Sequence, residues 1–338
     1  MKSINYTWAI NEAIREEMER DETVFIAGED VAKIGGPFGA TRGLLEMFGT
    51  KRVKDTPISE NTIVGLAVGA AATGLRPIVE VMFMDFFGLC LDQVYNQAAK
   101  MRYIFRGAFK MPIVIRTLVG AETNIGPQHS QSMEAWLAHV PGLKVVMPSN
   151  VYDVKGLLKT AVRDDNPVVF IEHLAHYRIK GDIPEEEYTL PLGVADIKRC
   201  GRDVTVVATG LMVQRALNAA TALAAEGIEL EVIDPRTISP LDSETIIQSV
   251  EKTGRLAVVT GSLKPFGLGA EIAARITELN PSMLKAPVRR VTPPFTPSPF
   301  GQRFEEFLYP KEQTIIKAVR DILRSSGDPA GDKSLCSA

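Results

Sequence analysis

The sequence has few cysteines, and they stand far apart. Cys90, Cys200 and Cys336 form no Cys-x-x-Cys pair, so the sequence shows no zinc site, and the three thiols fit a reducing compartment. A large excess of charge of one sign is also missing, because the formal net charge is only -3. This balance argues against the basic surface that binds nucleic acid. We therefore expect a cytoplasmic protein with no nucleic-acid partner.

Long hydrophobic runs are absent as well. The longest, Ile63 to Leu75, is shorter than the roughly 20 residues that are needed to cross a bilayer. The opening residues, Met1 to Tyr6, lack the apolar core of a secretory signal. We expect no membrane segment and no signal peptide. Inside the apolar run, the Gly65-x-x-x-Gly69 spacing predicts a helix with one small face that packs closely against another backbone.

Glycine-rich phosphate loops are the third absence. The best candidate, GLGAEI over residues 267–272, lacks the third glycine of the dinucleotide fingerprint. No Walker phosphate loop occurs in the sequence. A nicotinamide-dependent enzyme is therefore weakly supported.

Apolar runs alternate with helical patterns through most of the chain. Its 338 residues suggest two domains, and Asn5 is suited to cap a first helix. The alternation predicts an α/β fold with a parallel sheet that is covered on both faces. The strand-like runs of the first domain are 24–27, 77–81, 113–116, 145–147 and 168–171.

A polar, proline-bearing segment divides the chain. We predict a first α/β domain over residues 1–180, a linker over 181–191 and a smaller second α/β domain over 192–324. Residues 325–338 are polar and small, and this composition predicts a disordered tail.

Glu60 is the first candidate for chemistry. It closes the segment DTPISE (residues 55–60) and precedes an apolar stretch rich in alanine and glycine. A carboxyl in such surroundings is poorly hydrated, which disfavours its charged form and suits proton transfer. The alternative is a capping acid that complements the helix dipole. Residue type alone favours that alternative.

His129 lies in a second candidate segment, Gly126 to Ser132. Glycine and proline fix this loop, and Gln128 and His129 bring hydrogen-bonding groups to one place. A lone histidine is more often structural, but its neighbours here favour a site. The other close pair, His173 and His176, lacks a third ligand and is weak support for a metal.

A run of methionine and aromatic residues, MFMDFF over residues 82–87, follows a predicted strand. Such residues usually pack in a core. At the carboxyl end of a strand they could equally form a flat wall for a ring in the crevice of an α/β sheet. The residues alone leave the two interpretations even.

Several segments in register resemble one family. DTPISE (55–60), GLRPI (74–78), DQV (92–94), QHSQ (128–131) and PGLK (141–144) are similar to the β subunit of the thiamine-diphosphate-dependent 2-oxo acid dehydrogenases. This family is the decarboxylating first component of pyruvate, branched-chain and acetoin dehydrogenase complexes. The resemblance implies a parallel-sheet pyrimidine-binding domain, then a smaller transketolase C-terminal-like domain. It also implies an enzyme that cleaves or decarboxylates its substrate and passes the acyl group to lipoamide.

The resemblance assigns roles to individual residues. The family's matching glutamate hydrogen-bonds N1′ of the cofactor's aminopyrimidine, which gives Glu60 a catalytic task. Phe86 matches the aromatic residue beside the pyrimidine, and Gln128 is assigned to the same cofactor-binding set. His129 matches the histidine that contacts substrate and the incoming lipoyl group.

Family members also bind a potassium ion through main-chain oxygens and an aspartate. The ion is structural in the family. By position, the resemblance carries this site to Ile113, Ala161, Val162, Asp164 and Asn166.

One motif of the family is missing from the chain. The family holds the cofactor diphosphate and magnesium with Gly-Asp-Gly followed by an asparagine, and no Gly-Asp-Gly occurs here. A diphosphate needs a metal and cationic or backbone partners. The resemblance therefore implies half an active site, which a separate α subunit completes in an α2β2 assembly. A lipoyl-bearing acyltransferase is the second implied partner.

Alternatives stay open at the level of the sequence. The substrate could be pyruvate, acetoin or a branched-chain 2-oxo acid, because short segments resemble each type. A transketolase-like or synthase half would use the same cofactor, but such chains usually carry the diphosphate motif themselves. A scaffold that only holds the α subunit would need neither Glu60 nor His129.

Overall fold

The computed structural model describes residues 1–326, which form two compact units. The first comprises Met1–Leu192 together with Thr237–Pro240, and the second comprises Gly193–Arg236 and the chain from Leu241 onward. Most of the predicted tail lies outside the described residues. Ser325, which belongs to that predicted tail, is the last residue of the final helix.

Strands and helices alternate along the chain. The strands are β1 Lys2–Asn5, β2 Val24–Gly28, β3 Val53–Asp55, β4 Arg76–Phe83, β5 Val114–Val119, β6 Lys144–Val146, β7 Val168–His173, β8 Lys180–Ile183, β9 Asp196–Arg199, β10 Val204–Ala208, β11 Leu230–Asp234, β12 Thr237–Ser239, β13 Leu256–Val259 and β14 Arg289–Val291. The α-helices are α1 Tyr6–Arg20, α2 Leu44–Phe48, α3 Glu60–Ala72, α4 Ala99–Ile104, α5 Glu134–Ala138, α6 Val151–Arg163, α7 Leu211–Ala224, α8 Ser243–Thr253, α9 Leu268–Leu279, α10 Gln302–Glu305 and α11 Glu312–Ser325. Tighter 3-10 turns cover Met84–Leu89, Leu174–His176 and Pro281–Met283, and a π-helical segment covers Gln93–Ala98.

A seven-stranded sheet forms the centre of the first unit, in the order β12-β6-β7-β5-β4-β2-β3. All neighbours pair in parallel except β12 and β6, which are antiparallel. Every residue of β2, β5 and β7 is buried, as expected for strands that are covered on both faces. The predicted α/β class with a parallel sheet is confirmed.

The first helix shows how local sequence specifies this architecture. Oδ1 of Asn5 accepts a hydrogen bond from the Trp8 amide at 2.8 Å, which confirms the predicted cap of α1. The helix packs against α6. Lys155 and Lys159 of α6 are buried, and their Nζ atoms reach Glu16 of α1 at 2.7 and 2.6 Å. Because a buried ammonium group needs such a partner, these contacts fix the two helices together.

Two predicted segments differ from the structure. The proposed linker over residues 181–191 begins inside β8, which pairs antiparallel with β1; the polar sequence of β8 gives no apolar signal for a strand. The sequence pattern of residues 86–105 also predicts a helix, and the structure divides this stretch among a 3-10 turn, a π-helical segment and α4. The division starts where the Cys90 amide bonds to the Phe87 carbonyl at 3.0 Å, an i to i+3 contact that tightens the chain after β4.

The second unit is built on a five-stranded sheet in the order β14-β13-β10-β11-β9. Its strands are parallel except β9, which is antiparallel to β11. Apolar residues of α7 and α11 pack on this sheet and form a core of their own. No helix of either unit, as far as residue 326, is both long enough and apolar enough to cross a membrane.

Candidate active site

The carboxyl ends of four neighbouring strands define one edge of the first sheet. β5, β4, β2 and β3 stand side by side and run parallel. Glu29 follows β2, Asp85 follows β4, the loop with His129 follows β5, and Glu60 opens the helix after β3. Ligand sites of parallel sheets lie outside this edge. The fold therefore brings the predicted residues Glu60 and His129 to the same edge.

Glu60 is the first residue of α3 and is only 5% exposed. The Ser59 side chain makes no capping bond to the helix and instead bonds to the Thr62 hydroxyl at 2.8 Å. Glu60 accepts no hydrogen bond from the other residues of the described chain. A carboxyl that the fold holds in place and leaves unpaired suits a partner from outside the chain better than a purely structural role.

Other carboxyls surround Glu60. Burial raises the pKa of Glu29, and the negative charges of Glu60, Asp30 and Glu80 raise it further. Carboxyls that are poorly hydrated and close to like charges hold protons more readily. This edge of the sheet can therefore keep and exchange a proton next to Glu60.

Arg116 anchors part of this acid cluster in the sheet. Its guanidinium donates to Glu80 at 2.7 Å on one side and to Glu172 at 2.7 Å on the other. The Tyr177 hydroxyl donates a further hydrogen bond to Glu172. Burial acts to lower the pKa of Arg116, but the two carboxylates outweigh burial and raise it. The single positive charge of Arg116 is thus shared by two buried carboxyl groups, and the cluster holds more carboxyl groups than cations.

Cys90 also lies close to Glu60. Burial, and then the charge of Glu60, raises the pKa of this thiol to about 12. The thiolate is the reactive form of cysteine, so Cys90 is an inert neighbour rather than a nucleophile.

Aromatic rings surround His129. Its ring lies edge-on to Phe83 at 4.9 Å and to Phe86 at 5.5 Å between ring centroids. Phe83 and Phe86 contact each other at 5.9 Å, and Phe38 supports Phe83 from behind at 6.0 Å. Edge-to-face contacts are a preferred aromatic geometry, so they fix the orientation of the imidazole. The structure brings two predicted site residues, Phe86 and His129, into direct contact.

Main-chain hydrogen bonds close the loop that carries His129. The Gly120 amide donates to the His129 carbonyl at 3.0 Å, and the His129 amide donates to the Gly126 carbonyl at 3.3 Å. The Ser130 hydroxyl donates to the same Gly126 carbonyl at 2.8 Å. Gln128 is exposed and makes no hydrogen bond within residues 1–326. Its cofactor-binding role stays a prediction.

Asp85 ties this loop to the end of β4. Its Oδ1 accepts from Gln131 Nε2 at 2.8 Å and from the Gln131 amide at 3.3 Å. Burial raises the pKa of Asp85, while the bonds from Gln131 and the nearby His129 act to lower it. The second oxygen, Oδ2, is buried and has no hydrogen-bond partner among the described residues.

The residues that the resemblance assigns to potassium lie at the opposite edge of the sheet. Ile113 directly precedes β5, Ala161 and Val162 belong to the last turn of α6, and Asp164 and Asn166 precede β7. The end of a helix offers free carbonyl oxygens and the negative end of its dipole. The set is therefore rich in oxygen, as a hard cation requires, and it is remote from Glu60 in the topology.

Three cationic side chains already bind oxygens of this set. Arg102 donates to Asn166 Oδ1 at 2.6 Å. Arg76 donates to the Val162 carbonyl and to the Asp164 carbonyl, each at 2.9 Å. Lys144 pairs with the Asp164 carboxylate. Potassium would have to share the carboxylate with Lys144. No group of three or more His, Cys, Asp or Glu side chains arranged to hold a metal occurs within residues 1–326.

Sequence reasoning did not single out Glu29, Asp85 and Gln131, which lie close to the predicted site residues. A signal existed for two of them, because an acid just beyond the carboxyl end of a parallel strand lies where ligands bind. Glu29 follows the last residue of β2, and Asp85 stands two residues after β4. Gln131 carried no such signal, since its contact with Asp85 depends on how the loop after β5 folds over the neighbouring strand.

Comparisons with known proteins agree with this architecture. The profile of the transketolase pyrimidine-binding domain matches residues 2–180, and that of the transketolase C-terminal domain matches residues 193–315. A solved split-gene transketolase, described as an inactive beta4 tetramer, shares the fold with a TM-score of 0.79 at 22% identity, over 96% of this chain and 99% of its own. The chain is therefore a two-domain α/β protein of the transketolase type.

Curated relatives narrow this class. The beta subunit of acetoin:2,6-dichlorophenolindophenol oxidoreductase from Cupriavidus necator is 46% identical, covering 96% of this chain and 98% of the relative. The beta subunit of 2-oxoisovalerate dehydrogenase from Bacillus subtilis is also 46% identical, covering 95% and 99%. The mitochondrial pyruvate dehydrogenase E1 beta subunit from Rattus norvegicus is 47% identical, covering 93% and 89%. The chain belongs to this family of dehydrogenase beta subunits, which confirms the resemblance seen in the sequence.

Proposed function

We propose that this chain is the catalytic β subunit of a thiamine-diphosphate-dependent dehydrogenase. Its substrate is acetoin or a 2-oxo acid such as pyruvate, and the acyl product passes to lipoamide on an acyltransferase partner. The observation that carries the proposal is the buried residue Glu60, whose carboxyl is unpaired within the described chain, at the carboxyl edge of the sheet. Acetoin cleavage and 2-oxo acid decarboxylation both break a bond to a carbonyl carbon, so both need the same electron sink.

Glu60, Phe86 and His129 fit the ring end of thiamine diphosphate. Glu60 has a carboxyl free to hold N1′ of the aminopyrimidine, and Phe86 offers an aromatic ring beside it. When bound, the cofactor supplies the carbon nucleophile and the electron sink. Glu60 would orient the pyrimidine and hold a proton at N1′, and the acid neighbour Glu29 supports a carboxyl in that role. His129 would meet the substrate and the lipoyl group.

The diphosphate end of the cofactor needs a second chain. The sequence contains no Gly-Asp-Gly, so the α subunit would hold the diphosphate and its magnesium. The free thiols of Cys90 and Cys200 support the predicted cytoplasmic location of this assembly.

The helix that begins with Glu60 offers a surface for the α subunit. Leu66 is 45% exposed, and a Cβ added at Gly69 would meet no atom within 4 Å. Gly65 is partly covered, because a Cβ there would meet Gln93 Oε1 at 3.6 Å. The free part of the small face is therefore centred on Gly69. A subunit that packs there would also adjoin Glu60, where the cofactor would bind.

The decisive test is Glu60→Gln in the chain reconstituted with its α subunit. Turnover of acetoin, pyruvate and a branched-chain 2-oxo acid would be followed with 2,6-dichlorophenolindophenol as electron acceptor. Because the amide keeps the shape of the side chain and loses its proton chemistry, we expect turnover of the true substrate to fall about 10²–10⁴-fold. The exposed Glu46→Gln is the matched control and should retain full turnover.

Two outcomes would overturn the proposal. Wild-type turnover in Glu60→Gln would remove the catalytic role and leave a scaffold for the α subunit. Absence of turnover with all three substrates in the wild-type pair, with cofactor and magnesium bound, would exclude this reaction class. Preference for the branched-chain acid would instead keep the catalytic role and select the alternative substrate.

A weak potassium site at the opposite edge is a second, structural part of the proposal. The oxygens of Val162 and Asp164 are of the kind that a hard cation takes, and potassium would have to share them with Arg76 and Lys144. We expect potassium to raise the thermal midpoint slightly more than sodium at equal ionic strength. Equal midpoints in the two salts would exclude the site.

A further inference from the structure

One buried carboxylate oxygen just beyond the end of β4 has no part in the function described so far. Oδ1 of Asp85 takes two hydrogen bonds from Gln131, whereas Oδ2 is buried and has no partner among the described residues. A buried acceptor without a partner is destabilising. An apolar side chain at this position would avoid that penalty, so the second oxygen points to a functional reason for the acid.

The surroundings of Asp85 place it in the field of His129. Phe83 and Phe86, which flank Asp85 in the chain, hold the His129 ring edge-on. The tether to Gln131 lies two residues beyond His129 in the same loop. His129 in turn acts to lower the pKa of Asp85, as a neighbouring positive charge does.

A second carboxyl packs on this loop. Glu134 of α5 is buried; its Oε2 accepts from the Ser132 hydroxyl at 2.7 Å, and its Oε1 is buried without a hydrogen-bond partner among the described residues. Glu134 therefore fixes the far end of the loop.

We propose that Asp85 is a positioning residue for His129 in acyl transfer to the lipoyl group. Its Oδ1 holds the loop through Gln131, and the negative charge on its unpartnered Oδ2 favours the imidazole as a proton donor to the lipoyl group. The proposal rests on the function given above, in which His129 meets the lipoyl group.

Transfer of the acyl group to the lipoyl group needs a proton donor. The S–S bond of the lipoyl group would break, one sulfur would form a bond to the acyl carbon as that carbon gives up its bond to the cofactor, and the other sulfur would take the electron pair of the broken S–S bond. The two electrons come from the substrate, whose carbonyl carbon is oxidised to the acyl level. The released sulfur then takes one proton from His129. A carboxylate that orients a histidine and stabilises its charged form is a recurrent device in acyl transfer.

The test separates substrate cleavage from acyl transfer in the α2β2 protein. Cleavage would be followed with 2,6-dichlorophenolindophenol, which needs no lipoyl group, and transfer would be followed with a lipoylated acyltransferase domain. In Asp85→Asn the amide oxygen still accepts from Gln131, while the negative charge is lost. We expect transfer to fall at least about 10-fold and cleavage to change less than about 3-fold.

Loop order provides a readout other than activity. Hydrogen exchange of residues 120–132 should be unchanged in Asp85→Asn and faster in Asp85→Ala, which also loses the tether. The exposed Asp182→Asn removes the same charge from β8 and should leave both rates unchanged. If Asp85→Asn does not assemble, Gln131→Leu takes its place, and it should speed exchange and slow transfer.

The outcomes distinguish this inference from the proposed function. Full transfer in Asp85→Asn, with transfer abolished in His129→Ala, would overturn only the role of Asp85. Full transfer in His129→Ala would overturn the role of His129 itself. Equal losses of cleavage and transfer in Asp85→Asn, together with faster exchange, would reduce Asp85 to a structural tether.

Discussion

His176 is a buried imidazole that the fold keeps neutral. It is 1% exposed, and its ring lies 5.4 Å from the rings of both Tyr6 and His173. Burial, and then His173, lowers the pKa of His176 to about 3. In the unfolded chain the same ring takes up a proton at about 6.5. Between these two values the unfolded state binds more protons, so stability is lost as the pH falls from neutrality towards 3.

Replacing this side chain should therefore remove part of the acid sensitivity. In His176→Leu, we expect the loss in free energy of unfolding between pH 7 and pH 5 to be smaller by about 2 kcal/mol than in the wild type. Urea unfolding of the purified chain at the two pH values, followed by circular dichroism, measures the difference. An identical loss in both proteins would mean that His176 is protonated in the folded state.

At the scale of elements, the loop after β5 packs closely against its own first residue, Gly120, and leaves no room for a side chain there. A Cβ added at Gly120 would lie 2.3 Å from the His129 carbonyl oxygen and 2.3 Å from Ile125 Cδ1. The same carbonyl accepts the Gly120 amide. Any side chain at this position must therefore push the loop away from the strand end and displace His129.

Gly120→Ala should affect activity more than stability. We expect a destabilisation of about 1–3 kcal/mol from crowding and a loss of acyl transfer of about 10²-fold, because a displacement of about 1 Å is enough for that. Thermal unfolding and the lipoyl assay measure the two effects. Gly261→Ala, where an added Cβ meets nothing within 4 Å, is the control. Full acyl transfer in Gly120→Ala would show that the loop tolerates displacement.

The same elements show what the sequence could and could not predict. The cap at Asn5 and the apolar strands were predictable, because capping and burial on both faces leave local signals. The pairing of β8 with β1 was not, because β8 is polar and its partner is remote in the sequence. The contact of Asp85 with Gln131 depends on β4 and β5 being neighbours in the sheet, and strand order is a property of the whole chain.

At the scale of the whole molecule, the proposed function gives this chain the pyrimidine half of a cofactor site. Glu60 begins α3, and the small face of that helix remains open at Gly69 while Gly65 is partly covered by Gln93. This helix offers an open face to a partner and also begins with the proposed catalytic acid. Assembly and activity would therefore depend on the same helix. Blocking this face should therefore separate folding of the chain from assembly with its α subunit.

Gly69→Leu should leave folding intact and prevent assembly with the α subunit. The substitution adds a good helix former at an uncrowded position, so the isolated chain should be unchanged or more stable by up to about 1 kcal/mol. The new side chain would occupy the space that the α subunit needs, so co-purification and the α2β2 mass in light scattering should be lost, and thiamine diphosphate binding with them. Ala222→Leu, an exposed position of α7, is the matched control and should assemble normally. A Gly69→Leu chain that assembles and turns over like the wild type would show that the α subunit docks elsewhere.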